Sequence, residues 1–259
     1  MTMSSPTSRR RGATSRRGGE PVRLSPATAA PTPARQLALT LDGAPGRTVQ
    51  EPLPGVVHVA DWLSADAQRE LADRFRVWSL PPAGLRHPRV PTGHLMSVQS
   101  VCLGWHWQPY TYTRTADDTD GAPVKPLPVD IDLLARSAVA AAYGPESPEA
   151  VRYEPDAAIV NLYPAGARLG LHRDGEEPSE APVVTISLGD TCTFRLAGVD
   201  RRTGPFVDIE LRSGDLLVFG RENRRIFHGV PKVVPGTGPD GLGLPPGRLS
   251  ITVRETGLS

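Results

Sequence analysis

From Ala157 onward the chain is cut into short β-rich runs with turn residues between them: AAIVNLY, RLGLH, VVTISL, CTFRLAG, FVDIEL, DLLVFG, RRIFHGV and RLSITVRE. Such spacing leaves no room for the crossover helices of a parallel βαβ fold, so it predicts an all-β sandwich or barrel. The expectation is a jelly roll, that is a double-stranded β-helix, over about residues 156–256, with two helices packed on its outside. Ser64 is the expected N-cap of the first helix, with Ala67, Leu71, Phe75 and Trp78 on one face and a stop before Pro81-Pro82. The second is expected over Ile131–Tyr143, with Leu134, Ala138 and Ala141 on one face and Gly144-Pro145 as its end. Residues 83–128 between the helices are rich in Pro, Thr, Trp and Tyr.

A chain of 259 residues that is 39% hydrophobic can bury one substantial core. Residues 1–48 mix Arg, Ser, Thr, Pro and Gly without a sustained hydrophobic period and are expected to be disordered. This leaves 49–259 as a single domain. Eight arginines fall within the first 50 residues beside only Glu20 and Asp42, so the remainder is slightly acidic and the net charge is +1. Charge alone therefore gives no argument for a polyanionic partner. Cys102 and Cys192 are too few and too far apart for a zinc knuckle or a disulfide framework and read as small core residues. No apolar run reaches the length of a membrane span, and the expectation is a cytoplasmic monomer without membrane contact.

His172 and Asp174 end a strand-like run. Residues two apart on a strand project to the same side and can share one ion. His228, from a distant run, can supply a third ligand. Two imidazoles and one carboxylate leave open positions at an octahedral iron(II), the arrangement that oxygen activation requires. On the last run Arg248, Ser250, Thr252 and Arg254 alternate with Leu249, Ile251 and Val253, which puts all the polar residues on one face. Arginines facing the inside of a small barrel demand an anionic partner, because an unpaired buried charge is costly. A dicarboxylate beside the metal would supply it, with Arg254 offering two parallel N–H donors and Asn161 and Tyr163 adding hydrogen bonds.

The stretch from Asn161 to Asp174 (NLYPAGARLGLHRD), the later Phe227-His228-Gly229 and the run Arg248–Arg254 (RLSITVR) resemble the AlkB family of iron and 2-oxoglutarate dependent nucleic-acid dealkylases over about Val56–Glu255. The resemblance implies Fe(II) on His172, Asp174 and His228, and 2-oxoglutarate on Asn161, Tyr163, Arg248, Ser250 and Arg254. One departure is Ser250, where the family motif has asparagine. Residues Met96–Tyr112 resemble the family's substrate lid, placed here within about 83–128. They suggest Trp105 as a stacking platform for an extruded base, with Tyr110, Tyr112, Glu176 and Arg201 as further substrate contacts. The implied reaction uses O2 to oxidise an N-alkyl group on a base of DNA, of the 1-methyladenine or 3-methylcytosine type. It releases formaldehyde, succinate and CO2. RNA as the substrate, or a related oxygenase acting on a protein or small molecule, stays open.

Overall fold

The computed structural model describes residues 47–259, so the tail expected to be disordered lies almost wholly outside the described residues. Strands β1 (Val49–Leu53) and β2 (Val56–Val59) precede helix α1 (Ala65–Trp78). Then come β3 (Gln99–Leu103), a hairpin of β4 (His106–Gln108) and β5 (Thr111–Thr113), and helices α2 (Val129–Tyr143) and α3 (Pro148–Arg152). The rest is strand: β6 (Ala157–Tyr163), β7 (Leu169–His172), β8 (Val183–Gly189), β9 (Thr191–Leu196), β10 (Val207–Leu211), β11 (Leu216–Phe219), β12 (His228–Val234) and β13 (Arg248–Arg254).

These strands form two facing sheets. The larger has the order β1-β2-β11-β8-β13-β6-β3 and the smaller β10-β9-β12-β7, all antiparallel. From β6 to β13 the chain alternates between the two sheets except at the β9–β10 hairpin, as in a jelly roll. β13 lies between β6 and β8 at the centre of the large sheet, and its seven residues are all buried. Leu249, Ile251 and Val253 face outward and join one core with Leu71 and Phe75 of α1 and Ile131 and Leu134 of α2. Each such aliphatic side chain contributes ~1.5 to 3 kcal/mol on burial, which accounts for the helices covering that face. The polar residues of β13 therefore turn toward the small sheet. There a second core forms from Tyr163, Val183, Cys192, Phe194, Leu217 and Phe219.

Helix α1 starts where the sequence places it: the Ser64 hydroxyl accepts from the Ala67 N–H at 3.2 Å. Helix α2 begins earlier than expected and buries Ile131, Leu134, Ala135, Ala138 and Val139, the i, i+3, i+4, i+7, i+8 stripe. Ala141 lies at the margin of that stripe and is exposed, contrary to expectation. The run RRIFHGV is not one strand either. β12 starts at His228 and runs to Val234, and its register against β9 shifts between Gly229 and Lys232. Pro231, which has no N–H to give the ladder, falls in that bulge. The lid range also contains β3, which is an edge strand of the large sheet.

Candidate active site

β7 ends on His172 and β12 begins on His228, and antiparallel pairing sets the two residues opposite one another. Gly229 permits the close crossing, since a Cβ there would come within 2.7 Å of the Leu169 carbonyl oxygen. The two imidazole centroids are 4.4 Å apart. Asp174 brings Oδ1 to 3.7 Å from His172 Nε2 and Oδ2 to 4.0 Å from His228 Nε2. One candidate ligand atom from each of the three residues can be chosen so that all lie within 4.8 Å of one another.

Backbone carbonyls orient both rings. His172 Nδ1 is 3.0 Å from Gly170 O, and His228 Nδ1 is 3.0 Å from Ile226 O. A carbonyl only accepts, so each Nδ1 carries the proton and donates it, which leaves both Nε2 lone pairs directed at the carboxylate. Burial, followed by the neighbouring His172, pushes the His228 pKa down to about 4 and keeps that ring neutral. Two imidazoles and one carboxylate with their donor atoms converging suit a divalent iron with positions left open.

Burial by itself would raise the Asp174 carboxyl, but the Arg254 guanidinium and then the two imidazoles outweigh it and hold the group ionised. Arg254 Nη2 is 2.8 Å from Asp174 Oδ2, while Nη1 donates to Glu177 Oε1 at 2.9 Å and to the Tyr112 hydroxyl at 2.8 Å. The Tyr112 O–H in turn donates to Glu177 Oε1 at 2.6 Å. Both forks of Arg254 are thus engaged beside the metal ligand. These contacts put Arg254 at the metal end of the cavity it lines, where its Nε has no hydrogen-bond partner, whereas the sequence reading sets it at the far carboxylate.

Arg248 also has donor capacity to spare. It is fully buried; its Nε donates to Ser187 Oγ at 2.9 Å and its Nη2 to Ser250 Oγ at 3.4 Å, while Nη1 has no hydrogen-bond partner. It makes no salt bridge with any described residue. Six residues along a strand span ~20 Å, so Arg248 and Arg254 serve opposite ends of one cavity. That cavity is lined by Asn161, Tyr163, His172, His228, Ser250 and Thr252 between the two arginines. Asn161 is directly cross-strand from Ser250, and Tyr163 from Arg248. An orphaned guanidinium N–H at the buried end, with the histidines at the other, fits a small dicarboxylate whose second end reaches the metal.

The residues expected to touch substrate are dispersed, and none of the five lines this cavity. Trp105 is 6% exposed; its indole N–H donates to Asp156 Oδ2 at 3.0 Å, and the Arg114 guanidinium lies 3.4 Å from its ring centroid. It is a packed aromatic with one face covered, which corrects its expected role as an open stacking platform. Gly104 before it has φ +78°, and a Cβ there would meet the Asp156 carbonyl oxygen at 1.9 Å, so only glycine can make this turn. Tyr110 is 70% exposed at the β4–β5 turn. Tyr112 enters the Arg254 cluster. Glu176 is half-buried and its Oε2 accepts only from the Gly175 N–H, at 3.3 Å, whereas its neighbour Glu177 is buried. Arg201 stays on the exposed β9–β10 loop.

Glu177 and Trp107 escaped the sequence reading. Glu177 lies past the end of β7, where the two-residue period no longer assigns faces. Trp107 is directly cross-strand from Tyr112 and shares its side of the hairpin, a relationship that only the pairing reveals.

Comparison with known proteins adds to this geometry. Residues 55–254 match the model of the 2OG-Fe(II) oxygenase superfamily. The chain is 36% identical over 198 residues to the alpha-ketoglutarate-dependent dioxygenase AlkB of Salmonella typhimurium, covering 73% of this chain and 87% of that protein. It is 35% identical over 220 residues to the DNA N(6)-methyladenine demethylase ALKBH1D of Arabidopsis thaliana, covering 78% of this chain but only 49% of the relative, so it spans about half of that plant protein. The solved structure of OsALKBH1 superposes with a TM-score of 0.72 at 31% identity, over 80% of this chain and 100% of that one.

Proposed function

The chain belongs to the AlkB family of the 2OG-Fe(II) oxygenase superfamily, and on that premise we propose that it oxidatively removes N-methyl groups from bases of nucleic acid, DNA in the first place. The observation that carries this reading is the single cavity with His172, Asp174 and His228 converging at one end and an unpaired buried Arg248 at the other.

His172, Asp174 and His228 would hold Fe(II), and Arg248 the distal carboxylate of 2-oxoglutarate, with Asn161, Tyr163 and Ser250 alongside. When bound, iron and 2-oxoglutarate with O2 supply the oxidation of the N-methyl group, with formaldehyde, succinate and CO2 as products. The protein's own contribution is orientation and exclusion of water. Carbonyl contacts to Nδ1 fix both imidazoles, Arg254 keeps Asp174 ionised, and burial of Arg248 removes solvent that would compete for the carboxylate. The hairpin carrying Trp107 and Tyr112 reaches Arg254 through the tyrosine hydroxyl, so it stands beside the metal end where a target base must enter. Glu176, half-buried two residues past Asp174, is suited to favour a cationic methylated base.

The buried, unpaired cysteines suit a reducing cytoplasm, and the reading takes the chain as a monomer there. Anaerobic titration with Fe(II) and 2-oxoglutarate, followed by a screen of oligonucleotides bearing 1-methyladenine, 3-methylcytosine or N6-methyladenine for formaldehyde release, tests the proposal. Release that requires both additives supports it. Turnover of 2-oxoglutarate with no release from any methylated strand, DNA or RNA, moves the protein to an oxygenase of another substrate class.

A further inference from the structure

The rim of the site carries a group of charges that the iron and 2-oxoglutarate chemistry does not use. His228 pairs with His172 on one side and Leu196 on the other. One residue before it, Phe227 is joined to the β9–β10 loop by the Ala197 N–H to Phe227 O bond at 2.8 Å and the Phe227 N–H to Gly198 O bond at 3.0 Å. The Arg173 guanidinium is 5.3 Å, and that of Arg202 5.1 Å, from the Phe227 ring centroid. Both arginines are exposed, and neither makes a salt bridge with a described residue.

Among the described residues no other aromatic ring carries two guanidinium groups, and several surface arginines are instead neutralised by an acid. Arg195, Arg212, Arg221 and Arg225 are each paired with an acid at 2.7 to 2.8 Å. Two like charges on one aromatic ring repel each other, and a cation–π contact returns only ~0.5 to 1 kcal/mol at an exposed site. The ring limits where each guanidinium can go while leaving its N–H fork unspent, the geometry that receives a phosphate. Arg173 stands between two of the triad residues in the chain, so an anion it holds lies next to the metal end of the cavity. The neighbouring Arg201 is exposed on the same loop, without a ring beneath its guanidinium among the described residues.

We propose that Arg173 and Arg202, braced on Phe227, seat backbone phosphates flanking the target base. This rests on the demethylase reading and names which residues track the strand. The test uses the whole chain loaded with Mn(II) and 2-oxoglutarate. Anisotropy of a labelled single-stranded oligonucleotide with one 1-methyladenine is read across a salt series, for the unaltered protein and for Arg173→Gln with Arg202→Gln. Each lost phosphate contact on a single strand lowers the slope of log affinity against log salt by ~0.7, so the double variant is expected to be shallower by about 1.4 and weaker by roughly tenfold at low salt. Arg195→Gln with Arg212→Gln removes the same charge from paired positions and controls for general electrostatics. Equal affinity and slope in the double variant overturn the phosphate seat, as does an equal change in the control pair. Failure of the unaltered protein to bind or demethylate any methylated strand removes the demethylase reading itself, a separate outcome.

Discussion

Arg254 lies 2.8 Å from Asp174, so the last residue of the central strand is tied to the carboxylate of the histidine pair. This contact assigns the two arginines of β13 to different work and separates their expected phenotypes. Arg254→Lys shortens the fork that reaches Asp174, Glu177 and Tyr112 together. It should weaken Mn(II) affinity by ~10 to 100-fold, the usual consequence of losing a partner behind a metal ligand, and change the 2-oxoglutarate requirement far less. Calorimetric titration with each ligand separately checks this, and the reverse pattern would return Arg254 to the carboxylate.

Arg248→Gln removes the buried cation at the far end of the cavity. A charge-assisted contact of ~1.5 to 3 kcal/mol corresponds to a rise of roughly 10 to 150-fold in the 2-oxoglutarate concentration needed, with metal affinity retained. Unaltered 2-oxoglutarate dependence would mean that the carboxylate is held elsewhere.

Adjacent acids make a further contrast. Glu177 is enclosed by Arg254, Tyr112 and Arg224, the last at 3.5 Å. Glu177→Gln leaves buried guanidinium groups short of a counter-charge and should cost about 3 kcal/mol of stability. Glu176→Gln should leave stability within ~0.5 kcal/mol and act on substrate choice, penalising cationic 1-methyladenine more than neutral N6-methyladenine. Chemical denaturation and competition between the two lesions distinguish the residues.

How much of this was legible in the sequence follows from where periodicity holds. Alternation in β13 revealed which four side chains face inward, and the one-residue spacing picked out His172 and Asp174 as a pair, although Asp174 lies past the end of β7 and is brought to the histidines by the loop rather than by the pleat. Depth along the strand is not encoded in alternation, so nothing in the residues themselves separated Arg248 from Arg254. Beyond the end of β7 the period lapses, and Glu176 was chosen over Glu177. The three-residue strands β4 and β5 are too short for a pattern, which hid the pairing of Trp107 with Tyr112 and left Trp105 as the more prominent aromatic.

Asp215 offers a test remote from the chemistry. Its carboxylate accepts from the Arg212 N–H at 2.9 Å and the Asp61 N–H at 3.0 Å and lies 3.0 Å from His58 Nε2. Burial opposes ionisation, but His58 and the two backbone donors outweigh it and lower the pKa. A folded-state pKa below the unfolded one means that stability is present above the unfolded value, ~3.9, and is lost as pH falls through the folded value. Asp215→Asn should therefore cost ~1 to 3 kcal/mol at neutral pH and less in acid. Melting curves across pH 7 to 3 read this directly, and a constant difference between the proteins would exclude the ionised carboxylate as the source.

The central claim is that His172, Asp174 and His228 hold iron for the demethylation of nucleic acid. The most direct measurement is formaldehyde formed per succinate from a single-stranded oligonucleotide bearing one methylated base, for the unaltered protein and for His172→Ala, Asp174→Ala and His228→Ala in metal-controlled buffer. The account predicts a ratio near one for the unaltered protein, with both products lost together and Fe(II) content reduced in every variant. Full turnover in any of the three, or succinate without formaldehyde on every methylated DNA and RNA strand offered, would contradict it.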